Sequence, residues 1–409
     1  MVLALATTLV LAGAPGALAQ PETRGPLSFT TWDAGSITLD AANIRVLVYY
    51  PTGATAPMPV VAVVHGSSRT GANMAEMART LASRGFVALV PNMPCNFVAC
   101  DHAANARQIR ALLDWGVARS AEAASPIAGL VDGERRGVIG HSYGGLAVFL
   151  AAQGHPEIDA VVVLDGQDDT GVAAAAAPTL TQPTAHVLAE DVGACNGSNW
   201  KDTVYPLTPA PHMRVVVTGS AHCDAEEPGD AICPTVCGRG DASLSVYFRR
   251  YTVAWMSCAL QADASVADWI GGTELDLDQA ASHVSLVATG GLDALPCRSG
   301  MPLPDAGTVD VDAGGARPDA GALVDAGAPA DAGGVGPDAG ADAGSTTTGD
   351  AASSAGTDGG VTDAGRLVEP TSGGCGCAAA GRRDRAASLT VLALLALVAR
   401  RRPRAAALG

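Results

Sequence analysis

Between residues 27 and 300 the chain alternates two kinds of apolar pattern. One is a short, unbroken run of β-branched and aliphatic residues, which predicts strands buried on both faces at 44–50, 60–64, 87–90, 137–140, 160–164, 186–188 and 214–218. The other is a longer stretch with apolar positions every three or four residues among good helix formers, which predicts helices over 71–84, 103–119 and 243–262. Most gaps between successive strands can hold a crossover helix. A mostly parallel central sheet flanked by helices, the α/β class, is therefore expected. In the last helix Tyr247, Phe248, Tyr251 and Trp255 fall at spacings of one, three and four, a stripe that reads as core packing.

The pattern fails at both ends of the 409-residue chain, and composition explains why. Residues 1–19 form one apolar run closing on Ala17-Leu18-Ala19, the small-x-small form of a secretory cleavage site, although no basic residue precedes it. Residues 301–370 are rich in Asp-Ala-Gly repeats. Between Asp305 and Gly365 there is no aromatic residue, and eleven Asp face the single Arg317. Such a segment cannot bury enough apolar surface to offset its chain entropy, so it is expected to be a disordered, self-repelling linker. It holds ten of the sixteen net negative charges, so the acidity says little about a substrate. No basic stripe suited to nucleic acid is present. Residues 371–409 contain Cys375 and Cys377 among glycines, an apolar run at 386–399 and, after it, the cluster Arg400, Arg401, Arg402 and Arg404. Fourteen residues are short for a span, which needs about 20, so any membrane contact is expected to be that of a weak or temporary anchor.

Candidate chemistry centres on Gly140-His141-Ser142-Tyr143-Gly144, placed between a strand and a helix-forming run. This is the form of a nucleophile elbow, in which a serine on a strained turn is flanked by glycines so that strand and helix can approach closely. Upstream, the strand at 60–64 runs into His65-Gly66-Ser67-Ser68. In an elbow fold the loop here and the residue after the serine each aim a backbone N–H at a developing oxyanion, which nominates Ser67 and Tyr143. His65 reads as a loop-ordering residue. A serine also needs a base, and His222 fits: it lies in a small-residue turn after the strand at 214–218, 80 residues beyond Ser142. His141 and His212 read as structural. For the acid, Asp165 ends the strand at 160–164 and Asp191 follows the next one; Asp165 is preferred and Asp191 is the alternative. Eight cysteines lie between residues 20 and 300, an even number that suits disulfides in an oxidising compartment. Strand order suggests Cys95 with Cys100 and Cys195 with Cys223. A competing reading makes His222, Cys223, Cys233 and Cys237 a zinc site, with only the last pair at finger-like spacing.

Four segments, HGSSRTGANMAEMARTLASRGFVALVP, IGHSYGG, VVVLDGQDD and GSAHCDAEEP, resemble the α/β-hydrolase group that joins chlorophyllases, platelet-activating-factor acetylhydrolases and bacterial polyester hydrolases. The resemblance covers residues 44–262. It implies a Ser/His/Asp hydrolase of carboxylic esters, lipid-like or short-chain, with no metal and no organic cofactor. Asp165 stands where chlorophyllases and the acetylhydrolases keep their acid, Asp191 where polyester hydrolases keep theirs. Ser67 replaces an aromatic residue usual in polyester hydrolases. The last 35 residues resemble the myxobacterial C-terminal sorting tail, which implies a sorting protease and an exported, surface-held product. A surface binding module that keeps the fold without catalysis is the alternative function.

Overall fold

The strands at the centre of the sequence are continuous apolar runs because both of their faces are covered. In the computed structural model, which describes residues 20–300 except Phe97, Ala194, Ser198 and Arg239, nine strands form one sheet. They are β1 (Phe29–Leu39), β2 (Ala42–Pro51), β3 (Met58–Val64), β4 (Val87–Pro91), β5 (Val131–His141), β6 (Ala160–Leu164), β7 (Thr184–Ala189), β8 (His212–Val217) and β9 (Val284–Gly290). Their spatial order is β1-β2-β4-β3-β5-β6-β7-β8-β9. The six from β4 to β8 pair in parallel, while β1, β2 and β9 pair antiparallel at the two edges. The segments 1–19, 301–370 and 371–409 singled out in the sequence lie outside the described residues.

Successive side chains on β3 serve two different cores, as the two-residue period of a strand requires. Val61 and Val63 face one side, packed with α1 (Ala75–Ser83) and the long Ser245–Gln261 helix; Val60, Ala62 and Val64 face the other, with α2 (His102–Ala121) and α3 (Tyr143–Ala152). The aromatic stripe of the Ser245–Gln261 helix does pack in the core: Phe248, Tyr251 and Trp255 are fully buried. The seven expected strands and three expected helices are present, with ends moved by up to six residues. The edge strands β1 and β9 were not expected. Each is largely half-exposed: β1 turns mainly Thr, Asp and Ser to solvent and β9 turns out Leu286 and Thr289, and both are interrupted by polar residues, so neither has the unbroken apolar run that marks the central strands. Among the described residues no helix is long and apolar enough to cross a membrane.

This topology brings the carboxyl ends of β3, β5, β6, β7 and β8 to one edge of the sheet. Every candidate residue of the sequence analysis follows one of those ends.

Candidate active site

Ser142 sits between β5 and α3 with φ 56° and ψ −124°, a backbone conformation costly for any residue with a side chain and found where surroundings enforce it. Two features enforce it here. The Ser142 N–H donates to the Leu164 carbonyl of β6, and the Ser142 carbonyl accepts from Gln167. The strand and helix also meet without side chains between them: a Cβ on Gly140 would lie 2.2 Å from the Gly144 carbonyl oxygen, and one on Gly144 2.4 Å from that of His65. The glycines of the motif are thus a packing requirement.

The histidine and the two carboxylates are sorted by distance. His222 follows β8 and is 3% exposed; its Nδ1 lies 2.5 Å from Oδ2 of Asp165, itself 3% exposed at the end of β6. A carboxylate can only accept, so the proton resides on Nδ1 and Nε2 is left as the basic nitrogen. Asp165 Oδ1 accepts from the Ala189 N–H and Oδ2 from the side-chain amide of Asn196. Asp191 is exposed, and only its backbone joins this network: its N–H reaches Ser220 and its carbonyl accepts from Asn196.

Ser142, His222, Ser67 and Tyr143 line one cleft of about 160 Å³. Its floor is tied by Arg69, whose guanidinium grips the fully buried Glu226 carboxylate through three hydrogen bonds of 2.5 to 2.9 Å. That pair joins the loop after β3 to the loop carrying His222. Burial alone would raise the Glu226 carboxyl, but neighbouring His141 and Arg69 hold it below the usual carboxylate range. His141 Nε2 donates to the His222 carbonyl at 2.9 Å, while its Nδ1 stands 3.4 Å from Glu226 without hydrogen-bond geometry. His65 has both ring nitrogens engaged, Nδ1 donating to the Gly66 carbonyl and Nε2 accepting from the Met93 N–H, and burial pushes it down to about 4. It therefore orders the loop as a neutral ring. At the cleft mouth the Tyr143 hydroxyl donates to Asp169, and burial followed by that bond pushes the phenol well up.

Among the described residues four disulfides are formed: Cys95–Cys100, Cys195–Cys237, Cys223–Cys233 and Cys258–Cys297. The expected Cys95–Cys100 bridge is present. The expected Cys195–Cys223 bridge is not, and the reason is local. The helix Ile232–Cys237 places Cys233 and Cys237 four residues apart on one face, so each takes a partner from a different loop. Cys223 closes the histidine loop on itself and Cys195 ties the loop after β7. Sulfurs of Cys223, Cys233 and Cys237 lie within 4.8 Å of one another, but all three are in these bridges, which removes the thiolates that the zinc reading required.

A family profile described as PET hydrolase-like matches residues 24–284. The chain belongs to that family. The bis(hydroxyethyl) terephthalate hydrolase of Streptomyces coelicolor is 30% identical over 142 residues, which is 34% of this chain and 43% of that protein. The chain thus aligns with less than half the length of that curated relative. Within this PET hydrolase-like chain the carboxylate held against the histidine comes from the end of β6, not from the loop after β7 where Asp191 lies. Asn196 and the Arg69–Glu226 pair escaped the sequence reading. Arg69 and Glu226 are 157 positions apart, and each sits in an otherwise ordinary polar loop.

Proposed function

We propose that this PET hydrolase-like protein is a serine hydrolase of carboxylic esters. In this reading Ser142 Oγ attacks the ester carbonyl, His222 Nε2 takes its proton and passes it to the leaving alcohol, and the acyl group stays on Ser142 until water, activated by the same histidine, releases it. Asp165 holds the Nδ1–H tautomer and stabilises the imidazolium. The N–H groups of Ser67 and Tyr143 receive the oxyanion. The observation that carries the reading is one arrangement: a serine on a strained strand-to-helix turn shares a cleft with a histidine whose far nitrogen is 2.5 Å from a buried carboxylate.

Cleft size argues for small acyl groups. About 160 Å³ is well below the roughly 300–1,000 Å³ of pockets that enclose drug-sized ligands, so a short chain or one small ring enters and the rest of the substrate lies outside. Ile232, Val236 and the disulfide sulfurs provide an apolar wall. The name of the Streptomyces relative makes bis(hydroxyethyl) terephthalate a substrate worth trying beside simple esters. Export into an oxidising compartment belongs to the same reading, supported by the pairing of all eight cysteines between residues 20 and 300. A panel of nitrophenyl esters tests it. The expected kcat/KM is highest for acetate and butyrate and falls for octanoate. Absence of turnover on every ester, in protein with intact disulfides, would refute the assignment.

A further inference from the structure

The Asp165 carboxylate has a partner beyond the histidine and the backbone. Oδ2 accepts both His222 Nδ1 at 2.5 Å and the side-chain N–H of Asn196 at 2.9 Å, while Oδ1 accepts the Ala189 N–H at 3.0 Å. Asn196 is 5% exposed and fully engaged: the same Nδ2 donates to the Asp191 carbonyl at 2.8 Å, and Oδ1 accepts from the Gly193 N–H at 2.7 Å. These partners fix the amide orientation, since a flipped amide would set its oxygen against two acceptors. The preceding residue, Cys195, is bridged to Cys237, so the loop is anchored covalently beside the amide.

We propose that Asn196 is a positioning residue for the catalytic acid, fixing the rotation of the Asp165 carboxylate so that one oxygen points at His222. The inference rests on the Ser142, His222 and Asp165 roles given above. Two donors converge on one oxygen. The amide therefore sets the direction of Oδ2 and also draws off part of the charge that the imidazolium feels. A side chain that only closed the loop would need its bonds to Asp191 and Gly193, and not the third.

Other charged or titratable groups surround this pair. His141 lies 4.6 Å from the His222 ring, centroid to centroid, with Glu226 and Arg69 beyond it. On the histidine's own loop, Asp224 accepts from the Ala221 and Asp241 backbones. On the acid's side are exposed Glu190 and Asp191, Lys201 at the rim of a small space beside Asp165, and His186, which burial pushes down to about 3. Of these, only Asp191 is bonded to Asn196, through its backbone carbonyl.

The test compares Asn196→Ala and the isosteric Asn196→Asp in the full chain, with Ser142→Ala as control. The readouts are nitrophenyl acetate kinetics across pH and the far-downfield proton resonance of the His222–Asp165 hydrogen bond. Asn196→Ala is expected to lower kcat by about tenfold to a hundredfold, the size of one lost hydrogen bond to a charged group. KM should stay within about twofold, and the acidic limb of kcat/KM should move up by roughly half a pH unit because the carboxylate holds the imidazolium more tightly. Asn196→Asp keeps the shape and the Gly193 bond but sets a second carboxyl where the amide lay, 2.9 Å from Oδ2, so the two carboxyls share one proton and its limb should move less than that of Asn196→Ala. The downfield resonance should weaken in both. Wild-type kcat and pH profile in Asn196→Ala, or loss of kcat with an unmoved acidic limb and unchanged resonance in both variants, would overturn the proposal. Residual full turnover in Ser142→Ala would instead bring down the underlying triad reading; an inactive Ser142→Ala beside an unaffected Asn196→Ala sinks this inference alone.

Discussion

At the scale of single residues, two aspartates near the carboxyl edge of the sheet differ in what surrounds them. Asp165 is buried with three donors on its carboxylate, whereas the Asp191 side chain is exposed. A buried carboxylate gains from each donor, and its own negative charge is what the imidazolium needs during attack. Asp165→Asn replaces the acceptor facing Nδ1 with an amide and is expected to lower kcat on nitrophenyl acetate by roughly 10³ to 10⁴, with KM little changed. Asp191→Asn should cost about tenfold or less. Steady-state kinetics of the two variants decide between them, and the reverse ranking would transfer the acid's role to the loop after β7.

At the scale of elements, the site is a set of loops that must be held to one another. The Arg69–Glu226 pair joins the loop after β3 to the histidine loop, with side chains 7% and 0% exposed. Removing one partner of such a pair leaves a buried charge poorly compensated, Arg69 keeping only the partly exposed Asp230 at 3.0 Å, so Glu226→Gln is expected to cost about 3 kcal/mol and to lower the thermal midpoint. Arg69→Met combined with Glu226→Leu should recover most of that loss, because the only charge left without its partner is that of Asp230, which is exposed to water. Calorimetry of the three variants checks the order, and equal losses in the single and double variants would contradict it. The sequence made the central strands and the serine turn readable because their signals are local: an unbroken apolar run, or glycines at fixed offsets. It made β1, β9, Asn196 and the partners of Cys195 and Cys223 unreadable because these depend on neighbours farther along the chain. Cys195 could be assigned to Cys237 only once the helix Ile232–Cys237 had set two sulfurs on one face. Ser142 and His222 were nominated from their own segments, but the choice between Asp165 and Asp191 required the distance to His222.

At the scale of the whole molecule, buried neutral histidines tie stability to pH. Burial holds His65 at about 4 and His186 at about 3, against 6.5 unperturbed. Between about pH 4 and 6.5 the unfolded chain therefore binds more protons than the folded one, and stability rises as pH rises through that window. Asp159 acts in the opposite sense, because burial raises it to about 6 and its ionisation costs stability as pH climbs from 3.8. Two histidines outweigh one carboxylate, so the net slope is upward, about 1.4 kcal/mol per pH unit for each proton in excess. Thermal midpoints of the oxidised protein should increase from pH 4 to pH 6.5 and then level off. A midpoint that falls across that interval would show that the buried carboxylates dominate.

The central claim is that Ser142 is a nucleophile activated by His222 and Asp165, and covalent capture tests it most directly. Incubation with a fluorophosphonate, followed by proteolysis and mass spectrometry, is expected to place the adduct on the peptide containing Ser142. Labelling should be abolished in Ser142→Ala and slowed in step with turnover in Asp165→Asn. An unlabelled wild-type protein with native disulfides, or an adduct on another residue that persists in Ser142→Ala, would contradict the account.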